Sequence, residues 1–299
     1  MTSTKPFYRY LSIFLIFVFI SGIIQMPVKA ANNLAPVNKN SSIKADIGEI
    51  PNKLPKSKLE LTSKRTKYST RYLNPNGSFT EEIFLEPQFY KDLTDKKWKK
   101  LDNNLKVSSK DASKLENTSN DFKVSFASEA KSNEVVSVEK DGKKIALVPI
   151  GGKATKGTIK NNEITYDDMF NNTDAKYTVQ GDSLKEDLIL NSYSNQNTFT
   201  FEVKLNGLKA DVEKDGTITF SDSKSNKVWY FETPYMVDAN SKLSNDVKLN
   251  LRAESGKTYV DVVADKAFLE DSNTKYPVVI DPTINNWDTI RDTFISSLL

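Results

Sequence analysis

Neither cysteine nor histidine occurs anywhere in this chain. The first absence rules out disulfides, thiolate metal sites and thiol nucleophiles, and it suits an exported protein that folds without covalent staples. The second rules out the Ser-His-Asp arrangement, zinc sites of the H-E-x-x-H kind and any imidazole general base. Apolar residues are also scarce. They make up 38% of the 299 residues, and the mean hydropathy is −0.51. That is low for a single compact globule, so part of the chain is expected to stay unpacked, and the length allows about two domains. Aromatic residues, at 10% with 16 Phe and 12 Tyr, still suffice for β cores. A true surplus of positive charge is missing as well. The net charge of +3 comes from Lys5, Arg9 and Lys29, which lie in the first thirty residues where no acid occurs. The remaining chain is formally neutral, which removes the electrostatic support for a nucleic-acid partner.

Those first thirty residues read as a signal peptide, 1–30. Lys5 and Arg9 form a basic start and residues 11–24 are almost wholly apolar. Pro27 breaks the segment, and Val28-Lys29-Ala30 carries the small residues required for cleavage. The apolar run is shorter than the ~20 residues that span a bilayer, so no membrane anchor is expected after cleavage. Residues 31–64 read as a disordered linker, rich in Asn, Lys, Ser and Pro, with scattered apolar positions such as Ile43, Ile47 and Ile50. Near its end Lys53, Lys56, Lys58, Lys64, Arg65 and Lys67 form a basic cluster. Such a cluster suits either anionic wall polymers or plain solvation of a tether.

From residue 65 the pattern is that of short strands. A first β region, 65–157, opens with Arg71-Tyr72-Leu73 and the turn Asn74-Pro75-Asn76-Gly77, followed by Phe79, Ile83 and Leu85. Trp98, Leu101 and Leu105 sit among charges, and residues 103–120 are polar enough to read as a loop. Phe122, Val124 and Phe126 alternate strictly, and Lys140-Asp141-Gly142-Lys143 is a second hairpin turn. A second β region, 158–283, contains Ile164, Tyr166, Tyr177 and Val179, then Phe199, Phe201, Val203 and Leu205 in alternation. Val212-Glu213-Lys214-Asp215-Gly216 echoes Val138-Glu139-Lys140-Asp141-Gly142. The region ends in Tyr276-Pro277-Val278-Val279-Ile280-Asp281-Pro282-Thr283, a β-branched strand bracketed by prolines. Residues 284–299 read as the truncated start of a following β-module. The expected fold class is mainly β, with antiparallel β-sandwich-like modules after the signal peptide and the linker.

A search for chemistry on this frame returns near misses. Gly256-Lys257-Thr258 is the tail of a P-loop whose earlier glycine is replaced by Leu251. Ser41-Ser42-Ile43-Lys44 and Ser272-Asn273-Thr274-Lys275 match S-x-x-K without the partner motifs of that nucleophile. Asp167, Asp168 and Asp174 are a candidate calcium cluster without the regular loop spacing, and turn formation explains them equally. Trp98, Trp229 and Trp287 are candidate polymer-stacking residues, although a lone tryptophan beside a strand usually belongs to the core. Leu54-Pro55-Lys56-Ser57 is internal and no sortase signal. No catalytic, cofactor-binding or metal residue is assigned, and no cofactor is expected.

Several pieces together carry a resemblance. They are Tyr72 to Phe79, Trp98 to Leu105, Tyr166 to Asp174, Lys185-Glu186-Asp187-Leu188-Ile189-Leu190 and the closing Tyr276 to Thr283 motif. In this order the chain resembles the N-terminal region of the cell wall-associated proteins of Gram-positive bacteria. Those are large secreted proteins with RHS/YD repeats and a variable C-terminal toxin of contact-dependent growth inhibition. Asp292-Thr293-Phe294-Ile295 resembles the opening of the family's next module, of the DNRLRE type. The resemblance implies export, an extracellular or wall-associated location, and a non-enzymatic β-rich region that presents a toxin absent from this chain. The implied partners are cell-wall polymers and, in the full-length family, a downstream RHS shell and toxin, with no nucleic acid. Two other readings stand beside it: an autonomous cell-wall or polysaccharide-binding protein, and a truncated product without function.

Overall fold

The computed structural model describes residues 53–131 and 134–287. The signal peptide, the linker as far as residue 52 and residues 288–299 lie outside the described residues.

The alternation seen in the sequence becomes a succession of short strands. Three form a small sheet, β1 (Leu59–Glu60), β2 (Ser69–Leu73) and β3 (Phe79–Ile83), and a separate hairpin joins β4 (Phe89–Lys91) to β5 (Trp98–Lys100). Next come β6 (Asp102–Val107), β7 (Lys114–Ser119), β8 (Lys123–Ala127), β9 (Glu129–Ala130), β10 (Val136–Lys140) and β11 (Lys143–Ile150). A meander of β12 (Thr155–Lys160), β13 (Glu163–Phe170), β14 (Thr173–Gln180) and β15 (Ser183–Leu190) leads to β16 (Thr198–Asn206). The chain then forms β17 (Lys209–Val212), β18 (Ile218–Ser221), β19 (Lys227–Phe231), β20 (Tyr235–Val237) and β21 (Leu243–Ser244). It closes with β22 (Val247–Glu254), β23 (Lys257–Ala264), the short helix α1 (Lys266–Glu270), β24 (Val278–Asp281) and β25 (Ile284–Asn286).

Turn chemistry sets the register. Asp141 and Gly142 both take positive φ, 50° and 72°, so Lys140 pairs directly with Lys143 in a two-residue turn. Ser255 and Gly256 repeat this between β22 and β23. The echo at Val212 does not. There the same Asp-Gly pair lies inside a five-residue loop between Val212 and Ile218, with only Gly216 at positive φ. In the meander the turns fall at Asn161-Asn162, Asn171-Asn172 and Gly181-Asp182, ten residues apart, so β13, β14 and β15 are each eight residues long.

Two large antiparallel sheets result. One has the strand order β22-β23-β16-β11-β10-β8-β7-β6, and the other runs β17-β18-β19-β25-β15-β14-β13-β12-β9, with β24, β20 and β21 attached beside β15. The first sheet takes strands from 65–157 and from 158–283 alike, because the chain crosses between sheets at Gly151-Gly152 and again after β15. The sheets face each other across one hydrophobic core. Phe170 of β13 meets Phe199 and Phe201 of β16 at ring distances of 5.3 and 5.8 Å, Phe126 meets Tyr177 at 5.8 Å, and Phe122 meets Trp229 at 5.5 Å. Such edge-on and tilted ring pairs add to the burial of their area, so the sandwich-like packing rests on aromatics from both sheets.

The structure departs from the sequence reading in four places. Residues 103–120, read as a loop, form β6 and β7. Buried Asn117 stands in for missing apolar content there, accepting from the Val124 amide at 2.9 Å and donating to the Phe122 carbonyl at 3.1 Å. Strand structure is present before Lys64, since Leu59 and Glu60 pair with Leu73 and Tyr72, and Leu61 is buried. Residues 266–270 form a helical turn, capped by Asp265 accepting from the Ala267 and Phe268 amides, which buries Phe268 and Leu269. Finally, residues 284–286, read as the start of a following module, are strand paired within this body. They form β25 between β19 and β15, with Ile284 paired to both Phe231 and Leu184.

That position makes a measurable difference. Ile284→Ala should cost about 2–5 kcal/mol, read as a lower denaturant midpoint, because Ile284 is buried at the join of two strands. Limited proteolysis should leave 276–286 uncut, and rapid cleavage at Ile284–Asn286 would contradict this placement of β25.

Candidate functional site

Buried charge in this molecule concentrates on β15 and its neighbours. Alternation sends Leu184, Glu186, Leu188 and Leu190 into the core and Ser183, Lys185, Asp187 and Ile189 to the outer face. On that outer face Lys185 binds Asp187 on its own strand and Asp281 of β24 at 3.0 Å. Lys176 of β14 lies 3.5 Å from Asp187 and 3.7 Å from Glu163 of β13, and the Tyr235 hydroxyl of β20 donates to Asp281 at 2.9 Å. The ladder follows from register, because Lys176 is paired with Asp187 and Tyr235 with Asp281. Both aspartate side chains are nearly enclosed, at 8% and 6% exposure. Burial alone would lower the pKa of Lys185, but Asp187 and Asp281 outweigh it and hold the ammonium charged. Both carboxylates are thus engaged by lysines and a tyrosine.

The inner face carries a different acid. Glu186 is 1% exposed and sits directly opposite Tyr177, whose hydroxyl donates to its Oε1 at 2.6 Å. Burial pushes the Glu186 pKa up to about 8, against the lowering effect of the Tyr177 hydrogen bond, and the negative charges of Asp187 and Asp281 add to the rise. The carboxyl is therefore protonated at neutral pH. Tyr166 completes the polar part of this core by donating to the Ala127 carbonyl at 2.5 Å.

The residues singled out from the sequence do not converge. Asp174 accepts from the Asp168 amide at 2.7 Å and from Asn191 at 3.0 Å, so these acids shape the bulge and turn after Tyr166. Among the described residues no group of three side chains is placed to hold a metal ion. Gly256-Lys257-Thr258 follows a hairpin turn, with Lys257 paired to Glu202 at 2.9 Å. Lys275 Nζ donates to the Ser272 carbonyl at 3.2 Å in the loop after α1, and Ser41 to Lys44 lie outside the described residues. Trp229 is fully buried, Trp98 is half-buried in β5, and half-buried Trp287 has its ring 5.4 Å from Tyr230 with Lys227 4.6 Å above it. The basic cluster is partly neutralised: Lys58 pairs with Glu82, Arg65 with Glu60 at 2.5 Å and Lys67 with Asp182 at 2.7 Å. The open depressions lie elsewhere, on the outer face of the eight-stranded sheet around Lys114, Lys123 and Ser137. The sequence reading missed them. Their signal was a hydroxyl set between two valines, Val136-Ser137-Val138, in a strand whose outer face is otherwise charged.

Comparison with known proteins gives four named relatives. The chain is 30% identical over 257 residues to the tRNA(Glu)-specific nuclease WapA of Bacillus subtilis subsp. natto, and 30% identical over 264 residues to the tRNA nuclease WapA of Bacillus subtilis strain 168. Each match covers 80% of this chain but 11% of the relative, so the chain spans about a tenth of the length of these proteins. It is also 24% identical over 233 residues to the wall-associated protein of Geobacillus stearothermophilus, covering 72% of this chain and 91% of that one. No family model and no solved structure matches. The resemblance to the wall-associated proteins is thus carried by named relatives as well as by motifs. The motifs Lys185-Glu186-Asp187 and Ile280-Asp281 that suggested it are neighbours in space, joined by the Lys185–Asp281 pair.

Two outcomes follow from this network. A carboxyl whose pKa is raised by folding binds its proton more tightly in the native state, so its contribution is full below the unfolded pKa and is lost as pH rises through about 8. Glu186 should therefore make stability fall between pH 5 and 8, by up to ~1.4 kcal/mol per pH unit. Glu186→Gln, which imitates the protonated acid, should flatten that slope in urea titrations; an unchanged slope would contradict the assignment. Lys185→Met would leave Asp187 and Asp281 enclosed without their cation. With Lys185 itself 32% exposed, the loss should be about 2 kcal/mol rather than the ~3–5 kcal/mol of a fully enclosed pair.

Proposed function

We propose that this relative of the wall-associated proteins is an exported, non-enzymatic module that holds its parent protein at the cell wall and presents a downstream toxin. The observation that carries the reading is the pairing of β15 with β24 and β25. Two of the motifs that carry the resemblance, Lys185 to Leu190 and Tyr276 to Thr283, lie on these paired strands, which supports a folded β body as the common feature. The long relatives are named tRNA nucleases, and this chain matches 11% of their length, so the reading leaves that activity to the remainder of those proteins. The basic start and apolar run of residues 1–30 support export, and no helix among the described residues is long and apolar enough to cross a membrane. The charge-paired exterior, with Lys123–Glu116 and Lys144–Glu134 among its pairs, supports a role at a hydrated polymer surface.

A second reading, a wall-binding protein that works by itself, is favoured by one observation. The Geobacillus relative, named a wall-associated protein, is covered over 91% of its length by this chain.

Sedimentation with isolated cell walls tests both readings. The purified chain from Ala31 onward should pellet with walls and release no sugar or peptide fragments from them. Failure to pellet would overturn wall association, and turnover of a wall polymer would overturn the non-enzymatic reading. Peptide mass spectrometry of wall extracts then separates the two. Peptides continuing past Leu299 in the same frame mean presentation of a downstream part, and a mature species ending at Leu299 means a module acting alone.

A further inference from the structure

We propose that the outer face of the eight-stranded sheet, at the groove floored by Ser125 and Ser137, binds an anionic polyhydroxylated polymer, with one sugar- or polyol-sized unit seated over the two serines. This rests on the wall-association reading and names the ligand chemistry for it.

The floor exists because strand register aligns small side chains. Ser125 of β8 pairs with Ser137 of β10, which pairs with Ala146 of β11, while long charged side chains stand on either side. The resulting cavity is about 200 Å³. That is below the ~300 Å³ at which drug-sized pockets begin, and it suits a single ring or polyol. A second depression shares Glu116, Lys123 and Glu139 with it, and a third shares Lys114, so the groove continues across the face and accommodates a chain rather than an isolated small molecule.

The polar groups of the groove are unevenly committed. Glu116 accepts from both Lys123 and Ser108 at 2.7 Å, Asp111 accepts from Ser113, and Lys144 binds Glu134 at 2.8 Å. Against these stand side-chain groups that make no direct ion pair or hydrogen bond among the described residues, although Lys110 lies in the field of Glu116 and Lys114 in that of Asp111 and Glu134. Ser137 lines the cavity, and its hydroxyl makes no hydrogen bond within the described residues, which leaves it open to a ligand in the groove. Lys110 and Lys114 carry ammonium groups in no ion pair. The donors not held in a contact pair are therefore two cations and a hydroxyl, which suit a negatively charged, oxygen-rich ligand able to compete with the nearby carboxylates. Glu139 supplies an acceptor for a ligand hydroxyl on the wall between Lys123 and Lys144. A bare anion would leave that carboxylate opposed, whereas a sugar or polyol bearing an anionic group satisfies both.

Equilibrium binding of the full chain to three soluble polymers tests this: poly(glycerol phosphate), polygalacturonate and uncharged dextran. Binding is expected to one or both charged polymers and not to dextran. Phosphate-only binding identifies a phosphodiester polyol as the source, and carboxylate-only binding identifies an acidic glycan. Lys110→Glu with Lys114→Glu should weaken binding at least about tenfold, as should Ser137→Val, with folding checked by the denaturant midpoint. Glu139→Gln should keep the affinity for poly(glycerol phosphate) but lose its preference over inorganic polyphosphate, added for this variant as a backbone without hydroxyls. If Ser137→Val does not fold, the lysine reversals, which lie at the rim, decide the matter. Equal binding of dextran, or unchanged affinity in the lysine variant, would overturn the proposal. Walls that pellet the protein while neither charged polymer binds would defeat this inference and leave wall association standing. Lysine-dependent polymer binding without wall sedimentation would do the reverse.

Discussion

The pairing of β15 with the closing stretch of chain is the constraint on which the rest of the sandwich depends. Residues 188–190 of β15 pair with β24, and residues 183–184 pair with β25, so one strand is matched by two short ones meeting at Pro282-Thr283. Each of these then recruits a different neighbour, β24 taking β20 and β25 taking β19. Without this branch the meander of β12 to β15 and the group around β17 to β19 would be separate edges. The contact joins residues almost a hundred positions apart. Loop closure is therefore spent before the sheet is complete, which places the fold among the slow, non-local ones.

The two faces of β15 show how one strand serves two purposes. Facing inward, Glu186 is tolerated because Tyr177 offers a hydrogen bond and the carboxyl stays neutral. Facing outward, Lys185, Asp187 and Asp281 are tolerated because they neutralise each other within a ladder that crosses five strands. Such a ladder contributes little net stability over an apolar equivalent, but any slip of register would bury an unpaired charge. It therefore specifies which strand lies beside which. The outer groove uses the same alternation differently, placing Ser125 and Ser137 where their neighbours along the strand are core valines and phenylalanine.

Much of the fold was legible along the chain. Phe122, Val124 and Phe126, and Phe199, Phe201 and Val203, alternate in the sequence and are buried in the structure because a strand inevitably sends alternate side chains to one face. The Asp141-Gly142 turn was legible for an equally local reason, the left-handed conformation that this pair accepts. What stayed hidden depends on partners distant in sequence. β6 and β7 lack an apolar stripe and exist because β8 is beside them and Asn117 stitches the join. Phe79 and Ile83 alternate like core residues yet lie exposed on a small separate sheet. The groove was invisible because its floor is assembled across three strands, and none of its residues is unusual within its own strand.

The sequence by itself determined the class of structure, the local hairpins and the exclusion of histidine and cysteine chemistry, since alternation, turn preference and composition are properties of neighbouring residues. It also carried the family resemblance, through short motifs that survive as words. Only the tertiary structure decided that residues 284–286 complete this body, that Trp229 is core, that the Lys185 and Asp281 motifs touch, and that two lysines and a serine hydroxyl share an open groove. Each of those is a cross-strand relation, set by register between strands whose order in the sheet does not follow their order in the chain.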